Sequence, residues 1–241
     1  MSGTQREKKS RWLPLESNPQ VMSDYIHKLG VSQDWAYTDV FGLDSEILSM
    51  IPQPVKAVIL LFPITDNYER DSKEEVNKIQ EIGQEVSPNV MFFKQTISNA
   101  CGTIGLLHSL ASNTDAIPID EGPLKRLLDI SKNLTSDERA KVLEEDQELA
   151  EAHKSSASSG QTSASLNYRT PSEDEVVNLH FATFIEKDGS IYELDGRKPF
   201  PINHGPCKNL LEDSARLIKK FMERDPENYQ FTVIALTPKQ G

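Results

Sequence analysis

The chain holds two thiols, Cys101 and Cys207. A thiol attacks as its thiolate, which forms more readily at a helix N-terminus or beside an imidazolium. Cys101 falls in the first turn of a helix predicted over residues 98–111 (SNACGTIGLLHSLA), where Ser98 and Asn99 are both of N-cap type. The field at a helix end is worth about 0.3–1 kcal/mol, up to about 2 kcal/mol when partly buried. That moves a titration by roughly 1.5 units at most, so an activated thiol also needs a paired histidine. Cys207 follows Pro206 in a predicted loop with no helix start before it and reads as a bystander. Two cysteines make neither a disulfide framework nor paired metal-ligand spacing, so free thiols and no metal or cofactor are expected.

The histidine follows from a hairpin. Residues 178–186 and 190–195 are apolar runs joined around Lys187-Asp188-Gly189, and Asp-Gly between such runs is a strong hairpin signal. A two-residue turn sets Lys187 opposite Ser190 and Ala182 opposite Asp195, with His180 opposite Arg197 if the pairing continues. Side chains alternate, so His180, Ala182, Phe184 and Asp195 share one face. Leu179, Phe181, Ile185, Tyr192 and Leu194 share the other, which reads as the core side. His180 and Asp195 are then diagonal neighbours about 7–8 Å apart at the backbone, within side-chain reach. A carboxylate there would fix the imidazole tautomer and stabilise its charged form. A three-residue turn would put Asp195 on the opposite face and break the pair.

The other histidines are less well placed. His108 lies two turns beyond Cys101, roughly 10 Å along the predicted helix. His27, His153 and His204 fall at a predicted helix end or in loops. Acyl transfer also needs donors for a developing oxyanion. The side-chain amide of Gln95 and the backbone N–H of Cys101 are candidates. Each residue alone has an ordinary alternative: a small buried cysteine, a surface histidine near a solvated acid, a polar loop glutamine.

These residues need elements to position them. A first helix is predicted over 19–29, ended by Gly30. The run at 57–62 (AVILLF) reads as a strand buried on both faces, and 89–94 (NVMFFK) as a second. Residues 72–83 show helical spacing at Val76, Ile79 and Ile82. Thr135 and Glu138 form a capping-box pattern that opens a charged helix over 136–152. Residues 153–172 (HKSSASSGQTSASLNYRTPS) read as a long flexible loop. A helix over about 210–225 and a strand over 230–236 close the chain. The inventory is roughly six strands and seven helices, unevenly interspersed, which points to an α+β fold.

The 241 residues suit one large domain. With 26 Lys and Arg against 37 Asp and Glu, the formal charge is −11. That argues against nucleic-acid binding, which rests on neutralising phosphates. The longest apolar run is too short to span a bilayer, and no secretory signal is visible. A soluble cytoplasmic protein is expected, with the nucleus as a further location.

Two strings then carry a resemblance. QTISNACGTIGLLHSL (95–110) resembles the active-site segment of the ubiquitin C-terminal hydrolases, and LHFATFIEKDGSIYELDGRKPFPINHG (179–205) resembles their histidine and aspartate segment. RWLPLESNP, LLFPIT and FMERDP are similar to the small single-domain animal members, so the resemblance runs from about Arg11 to Leu236. It implies a papain-like cysteine hydrolase forming a single domain over 1–241. The expected architecture is a central six-stranded antiparallel sheet between helical lobes, on a knotted backbone. It implies Cys101 as nucleophile, His180 as base, Asp195 as the acid that orients it, and Gln95 in the oxyanion hole. Residues 153–172 fall where the family has its active-site crossover loop, which restricts leaving groups to small adducts or flexible peptides. The implied partners are ubiquitin and, as a second candidate, the ubiquitin-like neddylation modifier, acted on by a monomer through a thioester. Competing readings are a monoubiquitin-binding protein with little turnover and a thiol redox protein using Cys101.

Overall fold

The computed structural model describes residues 11–160 and 178–240. Along them run α1 (Pro19–Lys28), β1 (Trp35–Asp39), α2 (Ser45–Leu48), β2 (Ala57–Pro63), α3 (Asp66–Ile82), α4 (Cys101–Ala111) and α5 (Pro123–Ser131). Then follow α6 (Ser136–Glu145), α7 (Gln147–Gly160), β3 (Leu179–Lys187), β4 (Ser190–Leu194), β5 (Ile202–Pro206), α8 (Leu210–Arg224) and β6 (Thr232–Pro238). The strands form one antiparallel sheet in the order β1-β6-β2-β3-β4-β5.

The central strands are apolar on both faces because both faces are covered. From β2 and β3, Ala57, Ile59, Phe181 and Ile185 join a core made with α1, α4, α5 and α7. Val58, Leu60, Phe62, Ala182 and Phe184 join a second core made with α2 and α8. The sheet therefore lies between two helical layers. The face that carries His180 is not the less apolar one expected from the sequence; it is the floor of the second core.

The hairpin forms in the expected register. Asp188 and Gly189 take φ of 49° and 80°, the left-handed pair a two-residue turn requires. Lys187 pairs with Ser190, and the ladder runs to Thr183 opposite Leu194.

Four expectations need correction. Residues 89–94 form no strand, although Val90, Phe92 and Phe93 are buried. Their backbone groups are satisfied from elsewhere: Met91 N–H donates to Ser112 Oγ (3.1 Å), Phe93 N–H to His108 Nε2 (3.0 Å), and Phe92 O accepts from Arg139 (3.3 Å). The sixth strand is instead supplied at the sheet margins, where β1 and β5 are short and partly exposed and so carry a weak sequence pattern. The charged helix breaks at Asp146, whose ψ of 93° is extended, into α6 and α7. Helix α7 then runs through Gly160, so the first part of the expected 153–172 loop is helical, and positions 161–172 lie outside the described residues. Leu149, His153, Ser156 and Ala157 are its buried stripe; tertiary packing there overrides the weak propensity of a serine-rich segment. Last, α3 begins six residues earlier than its apolar spacing shows, at the Thr65 side chain, which caps Tyr68 N–H.

Candidate active site

Helix α4 starts at Cys101 itself. The N-cap position is Ala100, with no side-chain cap. Ser98 and Asn99 do not cap the helix: Asn99 is left-handed (φ 61°) and its side chain donates to Trp12 O at 3.2 Å. The first-turn N–H groups therefore stand beside the thiol without a side-chain acceptor, the arrangement that favours an anion there. Glycines let α4 lie close to its neighbours. A Cβ at Gly102 would fall 2.8 Å from Leu15 Cβ, and one at Gly105 would touch Thr183 Oγ1 at 3.4 Å and Phe181 at 3.5 Å. Thr183 Oγ1 also donates to Gly105 O (3.0 Å). So α4 is pinned to β3 one turn beyond the cysteine, which sets Cys101 toward the His180 end of the strand.

There His180 is 2% exposed and Asp195 is fully buried. His180 Nε2 lies 2.5 Å from Asp195 Oδ1. The Cys101 thiol is the other group acting on the ring, and with Nε2 engaged Nδ1 is the nitrogen left to face it. Burial alone would push His180 down, but the charge and hydrogen bond of Asp195, with Cys101, lift it to about 9. Burial would push Asp195 up, but His180, the Tyr68 hydroxyl and Lys198 hold it well below the usual carboxylate range.

Gln95 is brought in through Gly196. Gln95 N–H donates to Gly196 O (2.8 Å), and a Cβ on Gly196 would lie 3.0 Å from Gln95 Cβ and 2.8 Å from Ile104 on α4. The Gln95 side-chain amide makes only a long contact to Ile97 O (3.3 Å), and its buried Oε1 has no partner. Its donor is thus loosely engaged, as a group lent to a transient oxyanion must be.

The remaining candidates are elsewhere. Cys207 lies at the turn end of the hairpin, its N–H donating to Gly189 O (2.8 Å), and burial with the neighbouring Asp213 pushes its thiol up to about 12. His27 bonds Trp35 O at 2.8 Å. His153 is on α7 rather than in a loop, bonded to Thr103 Oγ1 (2.8 Å) and Leu13 O (2.7 Å) and pushed down to about 4 by burial. His108 is fully buried and also held near 4; it ties β4 to the 93–95 segment through Leu194 O (3.1 Å) and Phe93 N–H (3.0 Å).

Residues with no signal in the sequence support the pair. The Tyr68 hydroxyl of α3 donates to Asp195 Oδ2. Lys198 Nζ bonds Glu193 Oε1 (2.6 Å) and Glu75 Oε2 (2.7 Å), and His204, on β5 rather than in a loop, bonds Glu193 Oε2 (2.9 Å). Glu75, Glu193 and His204 have metal-ligand geometry among the described residues, but the Lys198 ammonium occupies both carboxylates. With Lys198 N–H donating to Asp195 O (2.9 Å), this cluster anchors the turn that carries Asp195.

Comparison with known proteins follows the same outline. Residues 12–223 match the family described as ubiquitin carboxyl-terminal hydrolase, family 1. A ubiquitin carboxyl-terminal hydrolase of Drosophila melanogaster is 45% identical over 231 residues, covering 95% of this chain and 98% of that one. Isozyme L1 of Rattus norvegicus is 41% identical over 226 residues, covering 92% and 96%. Among solved structures, the UCH37 catalytic domain of Trichinella spiralis, bound to ubiquitin vinyl methyl ester, is similar in fold, with a TM-score of 0.73 at 22% identity over 96% of this chain and 97% of that one.

Two outcomes follow from the geometry. Gly196→Ala drives a methyl into Ile104 and Gln95, and should cost about 1–3 kcal/mol in urea unfolding; a loss below about 0.5 kcal/mol would mean that the Gln95 segment gives way freely. Stability depends on pH with opposite signs on the two sides of neutrality. His180 is raised above its ordinary 6.5, so its contribution is complete below pH 6.5 and lost as pH rises through about 9. His108 and His153 are depressed from 6.5 to about 4, so theirs is present above pH 6.5 and lost as pH falls toward 4. Thermal midpoints should therefore peak near pH 6.5 and fall on both sides, and His180→Gln should remove the fall between 6.5 and 9 alone.

Proposed function

Because the chain belongs to family 1 of the ubiquitin carboxyl-terminal hydrolases and is a cysteine-type deubiquitinating hydrolase, we propose that Cys101 is its nucleophile, His180 its general acid and base, Asp195 the orienting acid and Gln95 an oxyanion donor. The observation that carries this assignment is the buried His180–Asp195 pair, with the Cys101 thiol acting on the same imidazole.

The steps follow from what each group can do. Cys101 as thiolate attacks the carbonyl of the C-terminal glycine of ubiquitin. The new S–C bond leaves a tetrahedral oxyanion, held by the Gln95 amide and the backbone N–H of Cys101. His180 gives its proton to the leaving amine or thiol as that bond breaks, and a thioester remains. A water then takes the place of the leaving group, and His180 accepts its proton as it attacks. The thioester breaks, ubiquitin leaves and the thiol–imidazole pair is restored. Asp195 stays ionised throughout, keeping the Nε2 proton directed at itself and Nδ1 at the sulfur.

Leaving groups are small adducts or flexible peptides, and the ubiquitin-like neddylation modifier, with a similar C-terminus, is a second substrate of the monomeric enzyme. The acidic chain, at −11, suits the basic tail that precedes the two glycines. A ubiquitin-binding protein with little turnover would have no use for an aligned thiol, imidazole and carboxylate.

Hydrolysis of a fluorogenic amide on the ubiquitin C-terminus tests the assignment. The parent should turn over, and Cys101→Ala should lose at least about a thousandfold in kcat while still binding ubiquitin. Turnover by Cys101→Ala at the parent rate would remove Cys101 from the mechanism.

A further inference from the structure

We propose that Tyr68 is a positioning residue for the hydrolysis, fixing the Asp195 carboxylate and through it the His180 ring. The inference rests on the assignment of Cys101, His180 and Asp195 made above.

An ionised carboxylate has two acceptor oxygens and no donor. Asp195 Oδ1 accepts from His180 Nε2 (2.5 Å) and from Arg197 N–H (2.8 Å). Oδ2 accepts from the Tyr68 hydroxyl. Asp195 has no solvent exposure, so bulk water does not replace that donor. The direction of the bond is fixed, since the carboxylate cannot donate; burial and the charge of Asp195 both push the Tyr68 phenol above its ordinary range and keep its proton in place.

Tyr68 is itself held. It is the one buried residue of the 17-residue α3, so this outer helix places one side chain in the interior, and that side chain ends on Asp195. Its ring lies edge-on to Phe62 (centroids 4.8 Å) and stacked on Phe221 (6.3 Å). Phe62 in turn meets the His180 ring edge-on at 5.7 Å. The ring is placed by packing and the hydroxyl is left to aim the carboxylate.

Two effects on the reaction follow. With Oδ2 tied to α3, rotation of the carboxylate is blocked and Oδ1 stays aimed at Nε2; without that tie the imidazole gains freedom to turn away from the sulfur. The hydroxyl also draws charge from Asp195. The state that depends on it most is neutral His180 beside ionised Asp195, because there the carboxylate has lost its cationic partner. Removing the hydroxyl therefore makes the His180 proton harder to lose. The other groups facing this pair are Cys101 and buried His108 from α4, Glu193 from β4, Lys198 and Arg197 from the turn after β4, and Arg224 from α8, whose guanidinium lies 5.9 Å over the Tyr68 ring.

Tyr68→Phe removes the hydroxyl and keeps the ring. On the ubiquitin amide, kcat should fall about tenfold with KM within about twofold, and the alkaline limb of kcat/KM should move up by about half a unit. In an Asp195→Ala background the same change should cost nothing further. A parent active in the assay and a dead Cys101→Ala, with Tyr68→Phe matching the parent in kcat and pH profile, would overturn the role of Tyr68 alone; an inactive parent would overturn the assignment beneath it. Equal losses from Tyr68→Phe in both backgrounds would also overturn the role, because they would show an effect not routed through Asp195. Should Tyr68→Phe not fold, 3-fluorotyrosine at position 68 retains the donor in a more acidic form: the alkaline limb should then move down, and an unmoved limb overturns the proposal.

Discussion

A carboxylate with no access to water costs several kcal/mol to bury unless partners replace its hydration. Asp195 is in that position, and the surrounding structure is arranged as its replacement for water. His180 supplies a charged donor, Arg197 a backbone N–H and Tyr68 a hydroxyl. In return the buried carboxylate keeps the imidazole charged and aimed, which a buried histidine without that bond would not be: His108 and His153, neither hydrogen-bonded to a carboxylate, are both held near 4. One contact therefore separates the proposed catalytic histidine from two structural ones.

The fold explains how the partners meet. The two-residue turn at Asp188-Gly189 fixes the register of β3 and β4, and the register brings His180 and Asp195 together just beyond the last paired residues. Helix α4 is pressed on β3 through Gly105, which sets the height of Cys101 relative to His180. The covering layers divide the remaining tasks. The α4 side supplies the thiol, the helix N-terminus and, through Gly196, the Gln95 segment. The α3 and α8 side supplies the aromatic wall of Phe62, Tyr68 and Phe221 behind the imidazole. The site sits at the end of β3, where groups from both layers meet, so each layer contributes chemistry the other lacks.

Much of this was legible in the sequence where local periodicity governs. The hairpin places His180 and Asp195 on one face because side chains alternate strictly and Asp-Gly selects one turn. Cys101 at a helix start was legible for the same kind of reason, although the cap was not: Asn99 is taken up by Trp12 O and leaves Ala100 in its place. What failed depended on distant partners. The 89–94 segment is as apolar as a strand, and only His108, Ser112 and Arg139 decide that its backbone bonds go to side chains. The serine-rich start of the expected loop is helical because His153 reaches Thr103 and Leu13. Tyr68, Glu75 and Lys198 carry no pattern at all, since their roles exist only once α3 lies against the turn after β4. Gln95 was ordinary by itself, and its proposed role came only from the resemblance of its segment.

Asp195 keeps His180 protonated and aligned before any substrate arrives. Nitrogen NMR of the free protein, with the ring nitrogens labelled and the signals assigned through His180→Gln, measures this directly. The His180 ring should remain an imidazolium through neutral pH and lose its proton near pH 9. Titration at the ordinary histidine value near 6.5 would show that the carboxylate does not govern the ring.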